Sequence, residues 1–265
     1  MEYSKSILTD FEKIFLDYTD RFFTGNIEFD KNILLKKTHS LFVRQECRKL
    51  AEAEKFSPRM AGLIEIAGLF HDIGRFEQIL EFNTFVDHKS INHGERGYEV
   101  LKKTNMLSEL PEKDRNIIFI STKIHNIRML PNNLDEETLL VVKAVRDADK
   151  LDIMRVMLNE YAKEKLDEAV ILHLEQSDNI SPNVLMHLEK GENPSISDFR
   201  TLTDFKLAQL AWIYDLNYKH SMNEFKKRKF YEQITELLPN VPQINKICRQ
   251  MYDYLEDKTN SLSKG

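Results

Sequence analysis

Cysteine is nearly missing from this sequence: Cys47 and Cys248 are the only two in 265 residues. They stand far apart and outside any C-x-x-C arrangement, which excludes a disulfide framework and a thiolate zinc site and leaves buried or free thiols. No apolar run is long enough to cross a bilayer. The N-terminal stretch MEYSKSILTDFEK has acidic residues among its apolar ones and no uninterrupted apolar core. It does not read as a secretory signal, so the expected location is cytoplasmic, with no membrane partner. A basic excess is missing too, since 38 Lys and Arg face 43 Asp and Glu for a net charge of -5. That balance argues against a chain that coats nucleic-acid phosphates. The basic run Lys226-Lys227-Arg228-Lys229 sits between Phe225 and Phe230 in a helical pattern and reads as a solvated helix face. Internal repeats and low-complexity tracts are absent.

What is there is a globular balance, 42% hydrophobic and 31% charged, in a chain long enough to bury a substantial core. Apolar positions recur at helical spacing, as in Ile7, Phe11, Ile14, Phe15 and Tyr18 or Met60, Leu63, Ile64 and Ala67, while sustained period-two alternation is almost absent. The fold class expected is all-α, a helical bundle. Pro58 suits the first turn of a helix through AGLIEIAGLFHDI, and Gly74 is the expected terminator beyond it. The segment EFNTFVDHKSIN reads as a loop, an entrance or lid, with start signals at Ser90 and Asn92 for the helix through HGERGYEVLKK. A helix is expected over Lys113 to Asn126. Pro131, Asn132 and Asn133 mark the following turn, and Asp135, Glu136 and Glu137 open a helix through LLVVKAVRDADKLDIM. Beyond the loops at Ser177–Pro182 and Gly191–Ser197, helices are expected over Asp198 to His220 and on either side of Pro239 and Pro242.

Charged and titratable side chains stand where this pattern requires apolar ones. His71 follows Ile64 and Ala67 at i+7 and i+4, so its imidazole projects from the buried face of its helix. Asp149 follows Val142 and Val145 in the same way. A buried carboxylate costs several kcal/mol or more without a partner, and a divalent metal is one such partner. His39 lies near Leu35 and Phe42 on one face of KNILLKKTHSLFVRQECRKL, and His125 stands just past Ile124 near a helix end. A lone histidine on an apolar face is more often a hydrogen-bonded core residue than a ligand. Only the set carries weight, because imidazole nitrogen with carboxylate oxygen suits zinc, iron, manganese, cobalt or nickel.

At these residues the sequence resembles the HD-domain superfamily of metal-dependent phosphohydrolases. The matching blocks are His39 in KTHSLFVRQEC, His71 and Asp72 in GLFHDIGRFEQ, and Asp149 in RDADKLD, in the family's order of H, HD and D. His93 in NHGERG and His125 in KIHN look like the two further histidines of binuclear members; His88 competes with His93 but lacks the following Gly-Glu. The resemblance covers residues 30–155. It implies an HD metal-binding core there; the length and helical patterning of the rest lead us to expect an N-terminal helix over 1–29 packing on that core and a C-terminal helical extension over 156–265 in the same globule. It also implies that His39, His71, Asp72 and Asp149 hold one metal, with Asp72 bridging to a second held by His93 and His125. The metal would be a divalent ion, Mn, Fe, Ni, Co, Zn or Mg, at one or two per chain. Such members attack phosphorus with a metal-bound hydroxide, and two cations roughly 3.5–4 Å apart suit that chemistry.

Cations beside these residues are candidate phosphate clamps: Arg75 and Lys150 first, then Arg96 and Lys123, with surface solvation as the bland reading. Asp147 and Asp152 flank Asp149, but a helix turns each well away from its face, so they are expected to support or cap. His173, His187 and His220 lie outside the matched region. Trp212, Tyr214, Tyr218 and Phe225 look like a packing face, with a pocket wall as the alternative. The expected function is hydrolysis of a phosphate ester of a nucleotide or other small phosphorylated metabolite, with Asp72, Arg75 and Lys150 in the catalytic machinery. Two alternatives stand beside it: a di-iron oxygenase, because hydrolases and oxygenases of this superfamily can share all six ligands, and a non-catalytic nucleotide-sensing module. Nucleic acid is disfavoured as a partner, and the C-terminal helices are expected to shape a pocket or a homo-oligomer interface.

Overall fold

The structure, a computed structural model, describes residues 3–261. Among them the only pairing of extended backbone is an isolated parallel bridge between Glu175 and Thr201; all other regular structure is helical. The chain divides into two compact units between Asp152 and Ile153.

The first unit contains α1 (Lys5–Thr19), α2 (Ile27–Ala53), α3 (Pro58–Phe70), α4 (Gly74–Phe82), α5 (His93–Thr104), α6 (Glu112–Ile124) and the start of α7 (Glu136–Tyr161). Polar residues start most of these helices. Ser4, Asn26, Ser57 and Asn92 each accept a backbone N–H from the first turn, and Pro58 follows Ser57 at a position whose N–H has no helical partner. Asp135 does the same for α7 by accepting from the Thr138 N–H at 3.0 Å.

Helix α3 buries Leu63, Ile64, Ile66, Ala67, Leu69 and Phe70, on more than one of its faces, so it forms the centre of the unit. Its closest neighbour is α2. Gly68 permits that approach, because a Cβ there would stand 2.5 Å from Cys47 Sγ, and the same contact keeps Cys47 buried. From α1, Phe15 meets Phe70 and Phe76 edge-on at ring-centre distances of 5.9 and 6.0 Å. Edge-on aromatic pairs add about 0.5–1.5 kcal/mol each beyond burial, so α1 secures the junction of α3 and α4.

That junction departs from the expected pattern. Gly74 does not terminate α3, which ends at Phe70; it is the first residue of α4 after a turn over His71, Asp72 and Ile73. The reason is packing between helices: a Cβ at Gly74 would lie 2.3 Å from the His93 carbonyl and 2.4 Å from the Gly97 nitrogen. Only glycine lets α4 and α5 cross so closely. Helix α4 ends instead at Asn83, whose φ of +48° is the left-handed conformation asparagine tolerates.

The second unit contains the end of α7 and α8 (Pro182–Glu189), α9 (Leu202–Ala211), α10 (Lys219–Lys227), α11 (Phe230–Thr235) and α12 (Pro242–Ser261). The stretch Asp198–His220 is not continuously helical. A capping box of Thr201 and Asp204 starts α9 late, and extended backbone at Leu216 separates it from α10. The basic run straddles the end of α10, where Lys229 takes φ of +52°. Phe225 packs edge-on against Phe230 and Tyr214 against Tyr254, as a packing face would.

Candidate metal centre

His39 projects from the middle of α2, His93 is the first residue of α5, His125 caps α6 and Asp149 lies on α7. His71 and Asp72 occupy the turn between α3 and α4.

The two oxygens of Asp72 face different histidines. Oδ2 lies 3.6 Å from His39 Nε2 and 3.7 Å from His71 Nε2, whereas Oδ1 lies 3.4 Å from His93 Nε2 and 3.7 Å from His125 Nε2. Asp149 Oδ1 stands 3.0 Å from His39 Nε2 and 3.5 Å from His71 Nε2. Donor atoms thus gather in overlapping groups: His39, His71 and Asp72; His71, His125 and Asp149; and Asp72, His93 and His125.

The far side of each ring fixes its tautomer. Nδ1–H donates from His71 to the Gly68 carbonyl and from His125 to the Thr122 carbonyl, each at 2.7 Å. A carbonyl can only accept, so both Nε2 atoms carry lone pairs when the rings are neutral. His39 Nδ1 meets Asp152 Oδ2 and His93 Nδ1 meets Asp87 Oδ2, again at 2.7 Å, with the same consequence. The Nε2 atoms of His39 and His71 are buried without a hydrogen-bond partner, the short approach of Asp149 to His39 having the wrong direction for one. Those of His93 and His125 face each other at 3.1 Å. Two lone pairs at that distance repel. A cation among the Nε2 atoms removes both the repulsion and the unmet bonds, so the donor set fits a bound metal.

Residues 37–154 match the HD domain family. The segment is an HD domain. Searches of curated proteins and of solved structures found no match to the chain. Within the HD domain, burial works against the charged form of Asp72, but Lys36, His71, His125 and Arg75 outweigh it and hold the carboxyl well below its usual range. Asp149 is held low against burial by His39 and His71. Burial and Lys36 push the His39 imidazole down, yet Asp149 and Asp152 together raise it to about 9, so a cation at Nε2 competes with a proton. Burial, aided by Arg75, pushes His93 down to about 4 despite Asp87 and Asp72. A neutral imidazole is the form that ligates.

The HD domain sorts the remaining expectations. His88 is exposed on the loop, whereas His93 is buried in the cluster. Asp152 is not turned well away from Asp149: three residues on, it shares that face of α7 and reaches the other nitrogen of the same His39 ring. Asp147 is buried. Arg75 Nε lies 3.5 Å from Asp72 Oδ1, but its Nη1 donates to Gln78 Oε1, the Phe85 carbonyl and Asp87 Oδ1 at 2.6–2.9 Å. Arg96 is engaged by Glu77 and Glu81, and Lys123 by Glu95. Lys150 lies half-buried on α7 with Nζ 3.4 Å from the Arg146 carbonyl. His173, His187 and His220 fall in the second unit. Among the described residues no helix is long and apolar enough to cross a membrane.

Two residues escaped sequence reasoning. Lys36 places Nζ 2.8 Å from Asp72 Oδ2; its position three residues before His39 on the same helical face was the available signal, although Lys37 beside it looks identical in composition. Asp87 sits in a loop without a period, and no sequence pattern marked it.

Proposed function

We propose that this chain is a metal-dependent phosphohydrolase that cleaves a phosphate ester, with a nucleotide or another small phosphorylated metabolite as substrate. The observation that carries the reading is the division of Asp72, one oxygen toward His39 and His71 and the other toward His93 and His125. A carboxylate so divided suits a bridge between two cations, the first held with His39, His71 and Asp149 and the second with His93 and His125. Divalent ions there would acidify a water at neutral pH and stabilise the attacking and leaving oxygens of phosphoryl transfer.

The chain's own residues supply the rest. Asp152, Asp87 and the Gly68 and Thr122 carbonyls keep the four Nε2 atoms bare and aimed inward. Lys36 brings an ammonium to the same carboxylate and, with Lys150 beside Asp149, offers positive charge to a phosphoryl group. Such a domain needs no membrane, and cytoplasmic residence accords with it.

The test is elemental analysis of the purified chain together with phosphate release from a panel of nucleotides and generic esters, with Mn, Ni, Co or Mg added. About two metals per chain and metal-dependent release support the proposal. Two irons without release move the assignment to oxygen chemistry, and a metal-free chain leaves a helical binding module.

A further inference from the structure

The supports of the four imidazoles differ in kind. Gly68 on α3, Thr122 on α6 and Asp152 on α7 belong to helices, and each anchors the ring of His71, His125 or His39. His93 alone is anchored from a loop, by Asp87 in the short turn Asp87–Lys89.

Asp87 is also the collecting point of its surroundings. Its Oδ1 accepts from Arg75 Nη1 at 2.9 Å and from Gln78 Nε2 at 3.0 Å, and its Oδ2 accepts from His93 Nδ1 at 2.7 Å and from Asn126 Nδ2 at 3.1 Å. Asn126 directly follows His125, so both histidines on the Oδ1 side of Asp72 are tied to this carboxylate. Gln78, fully buried on α4, locks the loop further by donating to Ser90 Oγ at 2.8 Å and to the Ile91 carbonyl at 2.9 Å. Arg75 holds its other end at the Phe85 carbonyl. The loop is therefore pinned to one half of the cluster, while the Asp87 side chain remains 29% exposed and within reach of solvent.

We propose that Asp87 is the positioning residue of the second metal position, and that the loop over residues 83–92 thereby sets whether the HD domain holds one metal or two. This rests on the binuclear reading above. Removing Asp87 takes away the acceptor of the His93 Nδ1–H, while the Asn126 amide keeps Asn92 Oδ1 at 3.1 Å and stands 3.3 Å from His93 Nδ1, a donor that favours the tautomer with its proton on Nε2. The group of His39, His71, Asp72 and Asp149 keeps its own anchors. Asp87 is not a catalytic residue; it acts through His93.

The experiment titrates Mn into metal-free wild type, Asp87→Ala and Gln78→Met by calorimetry, with metal per chain checked by elemental analysis and helix content by circular dichroism. Expected are two Mn sites in wild type, with the second weakened about 10- to 100-fold in Asp87→Ala and less in Gln78→Met, and the first within about twofold of wild type. A second site in Asp87→Ala as tight as that of wild type, or loss of both sites together with helix content intact, overturns the proposal. Should Asp87→Ala fail to fold, Gln78→Met decides on the same criteria. A wild-type chain that takes up one Mn or none defeats the binuclear reading itself, and the proposal with it; two Mn in wild type with no change in either variant defeats the proposal alone.

Discussion

Lys36 Nζ lies 2.8 Å from Asp72 Oδ2, so the carboxylate at the centre of the histidine cluster carries its own ammonium counter-ion. The same amine stands 5.3 Å from the centre of the Phe85 ring, at the loop before α5. A cation so placed can neutralise Asp72 when metal is absent and turn to a phosphoryl oxygen when metal takes the carboxylate. Lys150, which leans back on the Arg146 carbonyl, is the comparison.

Lys36→Met is accordingly expected to retain bound metal and to lower kcat/KM by roughly ten- to a hundredfold, the worth of a hydrogen bond to a charged group. Lys150→Met should do the same if it also meets phosphate. Steady-state kinetics with elemental analysis of both variants decides; an unchanged kcat/KM in Lys36→Met removes it from the site.

His71→Ala and Asp72→Ala should each abolish turnover and strip metal, Asp72→Ala the more completely because it serves both halves of the cluster. His125→Ala should spare the metal held by His39, His71, Asp72 and Asp149. Chelation should also lower the thermal midpoint of the wild type, since a ligand at a hundred times its Kd stabilises by about 2.7 kcal/mol. Calorimetric scans before and after EDTA, then with Mn restored, measure this; a midpoint indifferent to chelator would speak against a metal bound to the native state.

Gly74→Ala tests the crossing of α4 and α5. Its methyl group would fall 2.3 Å from the His93 carbonyl, against backbone that has no rotamer to yield. A loss of at least ~1–3 kcal/mol is expected in urea unfolding, the range for overpacked interiors. A variant as stable as wild type would show that the two helices separate freely.

The acid limb of stability should depend on Arg59. It donates to Glu137 at 2.6 Å and also pairs with Asp114, which in turn accepts from Tyr3. Hydrogen bonds from Arg59 and then Lys113 hold Glu137 down at about 2, below its ordinary 4.5. A depressed carboxyl contributes stability that is fully present above the unfolded value and is lost as pH falls from about 4.5 toward 2. Arg59→Met should therefore raise the pH of acid unfolding and flatten the stability curve between those limits. Urea midpoints measured from pH 2 to 7 give the answer, and parallel curves for the two proteins would contradict it.

The amino-acid sequence by itself determined the helical class, the burial of His71 and the ordered blocks around His39, His71–Asp72, His93, His125 and Asp149, because helical periodicity and local motifs are properties of neighbouring residues; Asp149, expected on a buried face, keeps 19% of its side chain exposed. Gly74 shows where that kind of reading stops: in sequence a glycine after an apolar run means a helix end, and the requirement that put it there comes from α5, about twenty residues away. Only the tertiary structure decided that Asp72 divides its oxygens between two pairs of histidines, that Lys36 rather than Lys37 meets it, and that Arg75 and Gln78 serve the loop through Asp87. Apart from the neighbours His71 and Asp72, those relations join residues 9 to 53 positions apart along the chain, from Gln78 with Asp87 to Asp72 with His125. Distances of that kind are set by how helices pack, and packing leaves no period in the sequence.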